Sequence, residues 1–369
     1  MKNLLAPSAS ELRTLEFART PNPAPVDPAK RAEILADPGF GNHFTDHMVD
    51  ICWSEWGGWH RPRVQPYGPI ALDPAASVLH YAQEIFEGLK AYRWADGSIR
   101  GFRPEANAAR LQRSAVRMAL PELPTEYFLA SIRELVAADG DWVPSAPGTS
   151  LYLRPFMFAK EAFLGVRPAK KVNYYVIASP AGNYFTGGLA PVNIWLSTQY
   201  NRAGKGGTGA AKTGGNYAAS LLPQAEAYEN GCDQVLFLDD GYLEELGGMN
   251  IVLVRRDGTL ITPESSSILE GITRDSILTL ARDRGLTVEE RRVHIDEWRA
   301  GAESGEIVEA FACGTAAVVA PIGSLKTASW EIRHASTELA LSLREELTGI
   351  QYGRVDDRHG WTTRLDVGQ

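Results

Sequence analysis

Short runs of β-branched and aromatic residues alternate with helix-period stripes along the whole chain. Alternation over residues 48–53 and 63–67, and the denser stretch 82–92, predict short strands and turns. Residues 104–120 read as a helix, with Pro104 in its first turn and Ala108, Leu111, Ala115, Met118 and Leu120 forming a mostly apolar stripe that Pro121 ends. A second helix is expected over 126–138. The runs L-Y-L-R-P-F-M-F from Leu151 and V-N-Y-Y-V-I-A from Val172 are short and rich in β-branched and aromatic residues, which fits strands. Beyond them V-N-I-W-L-S from Val192, Q-V-L-F-L from Gln234 and N-I-V-L-V from Asn250 read as further strands, with a helix-forming segment from Asn216 and helices at 273–284 and 332–347.

The pattern is mixed α/β. The glycine-rich segment from Ala181 to Ala190, lying between two strand-like runs, marks the best boundary between two domains. Residues 1–182 are expected to form a smaller N-terminal α/β domain, 183–191 a linker and 192–369 a larger C-terminal domain. Within the first, residues 1–38 carry P-N-P-A-P-V-D-P and read as an extended arm.

Composition narrows the function classes. A formal net charge of -8 without a long basic stripe argues against nucleic acid. No run approaches the roughly 20 apolar residues of a membrane span, and the N-terminus lacks the apolar core of a signal peptide. Cys52, Cys232 and Cys313 are far apart and odd in number, which fits reduced thiols and a cytoplasmic protein. His43, His47 and His80 lack cysteine or carboxylate partners at ligand spacing, so no metal is expected.

The candidate chemistry gathers in R-A-G-K-G-G-T-G-A-A-K-T-G-G-N-Y-A-A-S, Arg202 to Ser220. Its six glycines permit close approach of backbone to a bound group. A P-loop is the rival from another class, but Ala211 stands where that motif needs the glycine before its lysine.

This segment resembles the cofactor-lysine segment of the branched-chain aminotransferases, fold type IV pyridoxal-phosphate enzymes. The likeness extends to F-G-N-H-F-T-D-H-M from Phe40, E-I-F-E-G-L-K-A-Y-R from Glu84, F-R-P-E-A-N from Phe102 and I-Q-Y-G-R near the C-terminus. The resemblance implies a two-domain fold with pyridoxal 5'-phosphate between the domains. It also implies transamination of leucine, isoleucine and valine with 2-oxoglutarate, and a homodimer whose neighbouring subunit completes the site. A D-amino acid aminotransferase and an aminodeoxychorismate lyase are alternatives on the same fold; the length and the F-T-D-H-M and I-Q-Y-G-R segments favour the branched-chain group.

Carried over residue by residue, the resemblance makes Lys212 the Schiff-base amine and Tyr217 the partner of the phenolic oxygen. Glu245 becomes the partner of the ring nitrogen, with adjacent Glu244 as its confound. Arg110, Gly271, Ile272, Thr273 and Thr315 become the phosphate anchors, and Arg202 a support. Tyr81, Thr315 and Ala316 fall near the substrate carboxylate, while Phe40, Phe86, Tyr152 and Tyr184 line the side-chain pocket. From strand geometry, Arg154 shares a face with Tyr152 and is expected to meet a distal carboxylate. Gly248 departs from the threonine common in relatives, and Ala317 and Ala320 replace a cysteine pair that some relatives carry.

Overall fold

The computed structural model describes residues 16–182 and 190–366. The chain divides into two compact units. The first comprises residues 1–184 together with 211–214 and 351–369; the second comprises 185–210 and 215–350. Tyr184 and most of the expected linker lie outside the described residues.

Among the described residues, the first unit holds a nine-stranded sheet. Its order runs Ala18–Arg19, Gly58–Pro66, His47–Ser54, Lys171–Ala181, Ser150–Ala159, Leu89–Arg93, Ile99–Phe102 and Thr362–Arg364, with Glu84–Phe86 also paired to Ser150–Ala159. Strand Thr362–Arg364 thus closes the edge begun by Ile99–Phe102, in antiparallel register Thr362 to Phe102 and Arg364 to Arg100. On Ser150–Ala159 the two-residue period sorts the side chains. Leu151, Leu153 and Met157 are fully buried in the core with Leu111, Ala115, Phe128, Ile132 and Leu135 of the two helices, whereas Tyr152, Arg154 and Phe156 are half-buried.

Those helices are Pro104–Arg117 and Thr125–Asp139. The first stops three residues before the sequence pattern suggests, because Ala119 takes a left-handed φ of 53° and Met118 caps the turn. The N-terminal arm differs from the extended reading: Pro28–Ala36 is helical. Asp27 supplies the cap by accepting from the Ala29 and Lys30 N–H groups, and Pro28 occupies the first helical turn, where its missing N–H costs nothing. No residue of this helix is fully buried, but Ile34 and Leu35 pack, partly buried, against the edge of the core.

The second unit is built on another nine-stranded sheet, ordered Tyr242–Leu246, Gln234–Asp239, Val192–Leu196, Val318–Lys326, Ile307–Gly314, Asn250–Arg255, Leu260–Pro263 and Val288–Arg291, with Glu331–Arg333 off the path. Ile194, Leu236, Ile251, Leu253, Ile322 and Trp298 centre its core. Residues 331–333 form a strand where a helix was expected from 332; the helix is Glu338–Gln351. Its start is set by buried Glu309, whose carboxylate accepts from the Leu339 and Ala340 N–H groups and from Ser336 Oγ. The helix Ile295–Ser304, unremarked in the sequence pattern, is capped by His294.

Candidate active site

Lys212 lies on a tetrapeptide, Ala211–Gly214, that packs with the first unit. Its main chain is held from two sides. The Phe86 N–H donates to the Lys212 carbonyl at 2.9 Å. The Lys212 N–H donates to Ser114 Oγ at 3.0 Å. Glu84 Oε1 accepts from the Thr213 hydroxyl at 3.1 Å and from the Gly214 N–H. A Cβ at Gly214 would sit 2.6 Å from that same oxygen, so a side chain there would have to displace the Glu84 carboxylate.

The amine sits 4.7 Å from the Phe86 ring centroid. Burial, joined by the neighbouring Arg110 charge, lowers its pKa from the usual lysine range to about 8 against the opposing pull of Glu87. Near neutral pH an appreciable share of Lys212 is therefore a neutral, nucleophilic amine.

Arg110 is itself buried and tied to fully buried Glu87, Nε to Oε1 at 2.7 Å and Nη2 to Oε2 at 2.9 Å. Asn107 Nδ2 adds a third donor to Glu87 at 2.7 Å. Burial pushes the Glu87 carboxyl upward, but Arg110 and Asn107 outweigh it and hold the group below its ordinary range. Asn107, Arg110 and Ser114, spaced i, i+3 and i+7, form a polar stripe beside the apolar one on helix Pro104–Arg117. The sequence reading named Arg110 but missed Asn107 and Ser114. Glu84 and Glu87 stand in E-I-F-E-G-L-K-A-Y-R without assigned roles; the signal available was two carboxylates in an otherwise mostly apolar stretch.

Around the amine stand several expected substrate residues. Arg154 places its guanidinium carbon 4.7 Å from the Phe86 ring centroid and donates from Nη2 to the Tyr152 hydroxyl at 3.2 Å. Phe40 meets Tyr152 edge-on at 5.2 Å. Gly88 also belongs here, since a Cβ on it would reach within 2.0 Å of the Tyr152 hydroxyl. Tyr81 is 39% exposed on the unit's surface and donates its hydroxyl to the Leu164 carbonyl at 2.7 Å.

The second unit carries the other candidates. Glu245 is buried, and its Oε1 accepts from the Leu269 N–H and lies 3.1 Å from Arg202 Nη2. Arg202 also donates to the Gly209 and Ser267 carbonyls. Glu244 instead receives the Ser267 hydroxyl, and burial raises its pKa. The Tyr217 ring rests against Gly248, where a Cβ would come within 2.8 Å of Cε1.

Gly271 caps helix Ile272–Asp283 with its backbone alone, and a Cβ there would strike Asn250 Oδ1. Asn250 is in register with Cys313, which brings half-buried Thr315 and Ala316, in the turn after strand Ile307–Gly314, to the same end of the sheet as Gly271. Cys313 is wholly buried and its thiol is pushed up to about 12 by that burial, while Ala320 pairs with Ala312.

These residues fit a pyridoxal-type cofactor by the chemistry of the donor set. Taken separately, the first unit offers an amine of lowered basicity, the kind of group an aldehyde takes, and the second offers a buried carboxylate, a phenol packed on a glycine and a helix N-terminus that begins on glycine, the kinds of group a ring nitrogen, a phenolic oxygen and a phosphate take. No group of three or more acidic, histidine or cysteine side chains able to hold a metal occurs among the described residues.

The chain belongs to the class IV aminotransferases: the amino-transferase class IV family model matches residues 84–325. Within that class it is 60% identical over 352 residues to the branched-chain-amino-acid aminotransferase of Mycobacterium tuberculosis, covering 92% of this chain and 96% of that one. It is 58% identical to the Mycolicibacterium smegmatis enzyme of the same name, covering 95% and 99%. Among solved structures, the branched-chain aminotransferase from Thermoproteus uzoniensis with norvaline is similar at a TM-score of 0.71 and 25% identity, covering 86% of this chain and 99% of that one. The branched-chain amino acid aminotransferase from Thermobaculum terrenum in its PLP-form gives 0.69 and 26%, covering 87% and 98%.

The Tyr217 contact makes Gly248 testable. Gly248→Thr is expected to displace the Tyr217 ring and weaken retention of pyridoxal phosphate about 5- to 150-fold, the equivalent of the ~1–3 kcal/mol that overpacking costs. Equilibrium dialysis checks it, and unchanged retention would show that the ring yields without consequence.

Proposed function

We propose that this chain transfers the amino group of L-leucine, L-isoleucine and L-valine to 2-oxoglutarate with pyridoxal 5'-phosphate, giving the branched 2-oxo acids and glutamate. The observation that carries the reading is Lys212, an amine of lowered basicity beside Phe86 and held within a segment that matches the family's cofactor-lysine motif. A panel of amino donors assayed against 2-oxoglutarate tests it; activity confined to D-amino acids would replace it with the neighbouring alternative.

When bound, pyridoxal phosphate supplies the electron sink that stabilises charge developing at the amino acid's α-carbon. Lys212 anchors it and, once displaced by substrate, takes the α-proton on Nζ, which is mostly neutral above about pH 8. Glu245 serves the ring nitrogen, Tyr217 the phenolic oxygen, and Arg110, the N–H groups of Gly271 to Thr273 and Thr315 the phosphate. Arg202 holds Glu245. Thr315 and Ala316 offer backbone groups to the substrate carboxylate, and Phe40, Phe86 and Tyr152 an apolar wall for the branched side chain.

Glu245→Gln should retain cofactor yet slow the leucine half-reaction by at least about 10-fold, the loss of a charge-assisted contact of ~1.5–3 kcal/mol. Glu244→Gln, which alters the contacts to Ser267 and Ser265, should have a smaller effect. Single-turnover absorbance changes separate the two, and equal mild losses would reject the Glu245 assignment.

The reading includes a homodimer. Leu79, Tyr81, Leu164 and Val166 are exposed, Val166 at 90%, and the Tyr81 to Leu164 and Phe163 to Ala75 hydrogen bonds join their segments. A second copy covering this apolar surface accounts for its exposure. Val166→Asp should shift the protein toward monomer in sedimentation velocity; an unchanged distribution would place the interface elsewhere. No helix among the described residues is long and apolar enough to cross a membrane.

A further inference from the structure

We propose that Glu84 is a positioning residue for Lys212, acting through the acceptor oxygen that it presents to the backbone and hydroxyl of residues 213–214. The inference rests on the reading that Lys212 carries the cofactor.

The lysine segment has no regular structure of its own at residue 212. Among the hydrogen bonds that hold it in place, two reach Lys212 itself and two reach Glu84. The Phe86 and Ser114 contacts fix where the Lys212 peptide sits. Glu84 Oε1 fixes the next two residues, and with them the direction in which the chain leaves the lysine. The strand Glu84–Phe86 pairs with Ser150–Ala159, Glu84 opposite Phe158 and Phe86 opposite Phe156, so this acceptor stands on the sheet that also carries Tyr152 and Arg154. Three residues of one short strand thus divide the work: Ile85 is buried in the core, Phe86 lies under the amine and Glu84 grips the peptide beyond it.

The geometry separates acceptor from charge. Burial raises the Glu84 pKa, with Gly214, Thr213 and the Arg154 charge opposing. A neutral amide keeps a carbonyl oxygen at the position of Oε1 and preserves both bonds. A hydrocarbon of similar size leaves the Gly214 N–H and the Thr213 hydroxyl without their acceptor, and the segment relaxes to find others.

The test uses full-length protein carrying its cofactor, with Glu84→Gln and Glu84→Leu compared to the parent. Borohydride reduction and quantitative peptide mapping read the pyridoxyl group on Lys212, and steady-state kinetics read kcat and KM for leucine. Glu84→Gln should stay within about 2-fold of the parent in both, whereas Glu84→Leu should lose about 5- to 150-fold in kcat with KM nearly unchanged, and lose Lys212 label in proportion, as expected for two stranded donors. Should the leucine variant lack a cooperative thermal transition, Glu84→Asp, one methylene too short to reach, replaces it with the same expectation. Wild-type label and kcat in the leucine or aspartate variant would overturn the proposal, as would a glutamine variant as impaired as the leucine one. Lys212→Ala in the same assay keeps the two questions apart: label persisting on another lysine defeats the Lys212 reading itself, whereas label absent there but full in Glu84→Leu defeats only the role of Glu84.

Discussion

Lys212→Ala is expected to abolish the borohydride-fixed pyridoxyl label and to slow the leucine half-reaction by about 10²–10⁴-fold, the range that a positioned acid–base group contributes. The same amine predicts a pH signature. Its pKa is lowered to about 8, chiefly by burial and then by Arg110, so the neutral form grows as pH rises through that value. Capture of pyridoxal phosphate by protein freed of cofactor should therefore accelerate about tenfold per pH unit below 8 and level off above it, as expected of an amine reactive only when neutral. Stopped-flow absorbance across pH 6 to 10 measures this. A midpoint near the ordinary lysine value would show that the amine is solvated, and label on Lys205 alone would move the assignment to that residue.

The second large effect concerns dual recognition. One pocket must accept an aliphatic side chain and then the side-chain carboxylate of glutamate. Arg154 lies beside Tyr152 and over Phe86, so a cation borders an otherwise aromatic wall. Arg154→Met should lower kcat/KM for glutamate and 2-oxoglutarate by roughly 10- to 150-fold, from the ~1.5–3 kcal/mol of a charge-assisted hydrogen bond, while sparing the leucine half-reaction. The bond from Arg154 to the Tyr152 hydroxyl offers a competing outcome. If that bond mainly orients Tyr152, both half-reactions will fall together, and the arginine will be a support for the wall.

What the sequence made legible was local. The two-residue alternation of L-Y-L-R-P located both the core residues Leu151 and Leu153 and the opposite-facing pair Tyr152 and Arg154, because a strand's period is fixed by its backbone. The apolar stripe read over residues 104–120 likewise located the helix and its buried face, although the helix itself ends at Arg117. The residues that the sequence pattern passed over act across long separations. Glu309 starts a helix about thirty residues downstream. Glu84 holds a peptide 130 residues away. For neither carboxylate could the partner be read from the sequence, since each accepts from a backbone N–H that any residue supplies. The arm shows the opposite failure: Asp27-Pro28 is a helix-start signal in plain view, masked by the surrounding prolines.

The pairing of Thr362–Arg364 with Ile99–Phe102 also sets a timetable for synthesis. Residue 102 and residue 362 are separated by 260 positions, so at ~5–20 residues per second a ribosome needs roughly 13–52 s to deliver strand Thr362–Arg364 after its partner has been made. Through that interval the Ile99–Phe102 edge has no neighbour on its outer side, and an open edge is where chains add to one another. Translation that stalls before residue 362 would leave a polypeptide with this adhesive border exposed, and yield in the cell should fall with the time spent there.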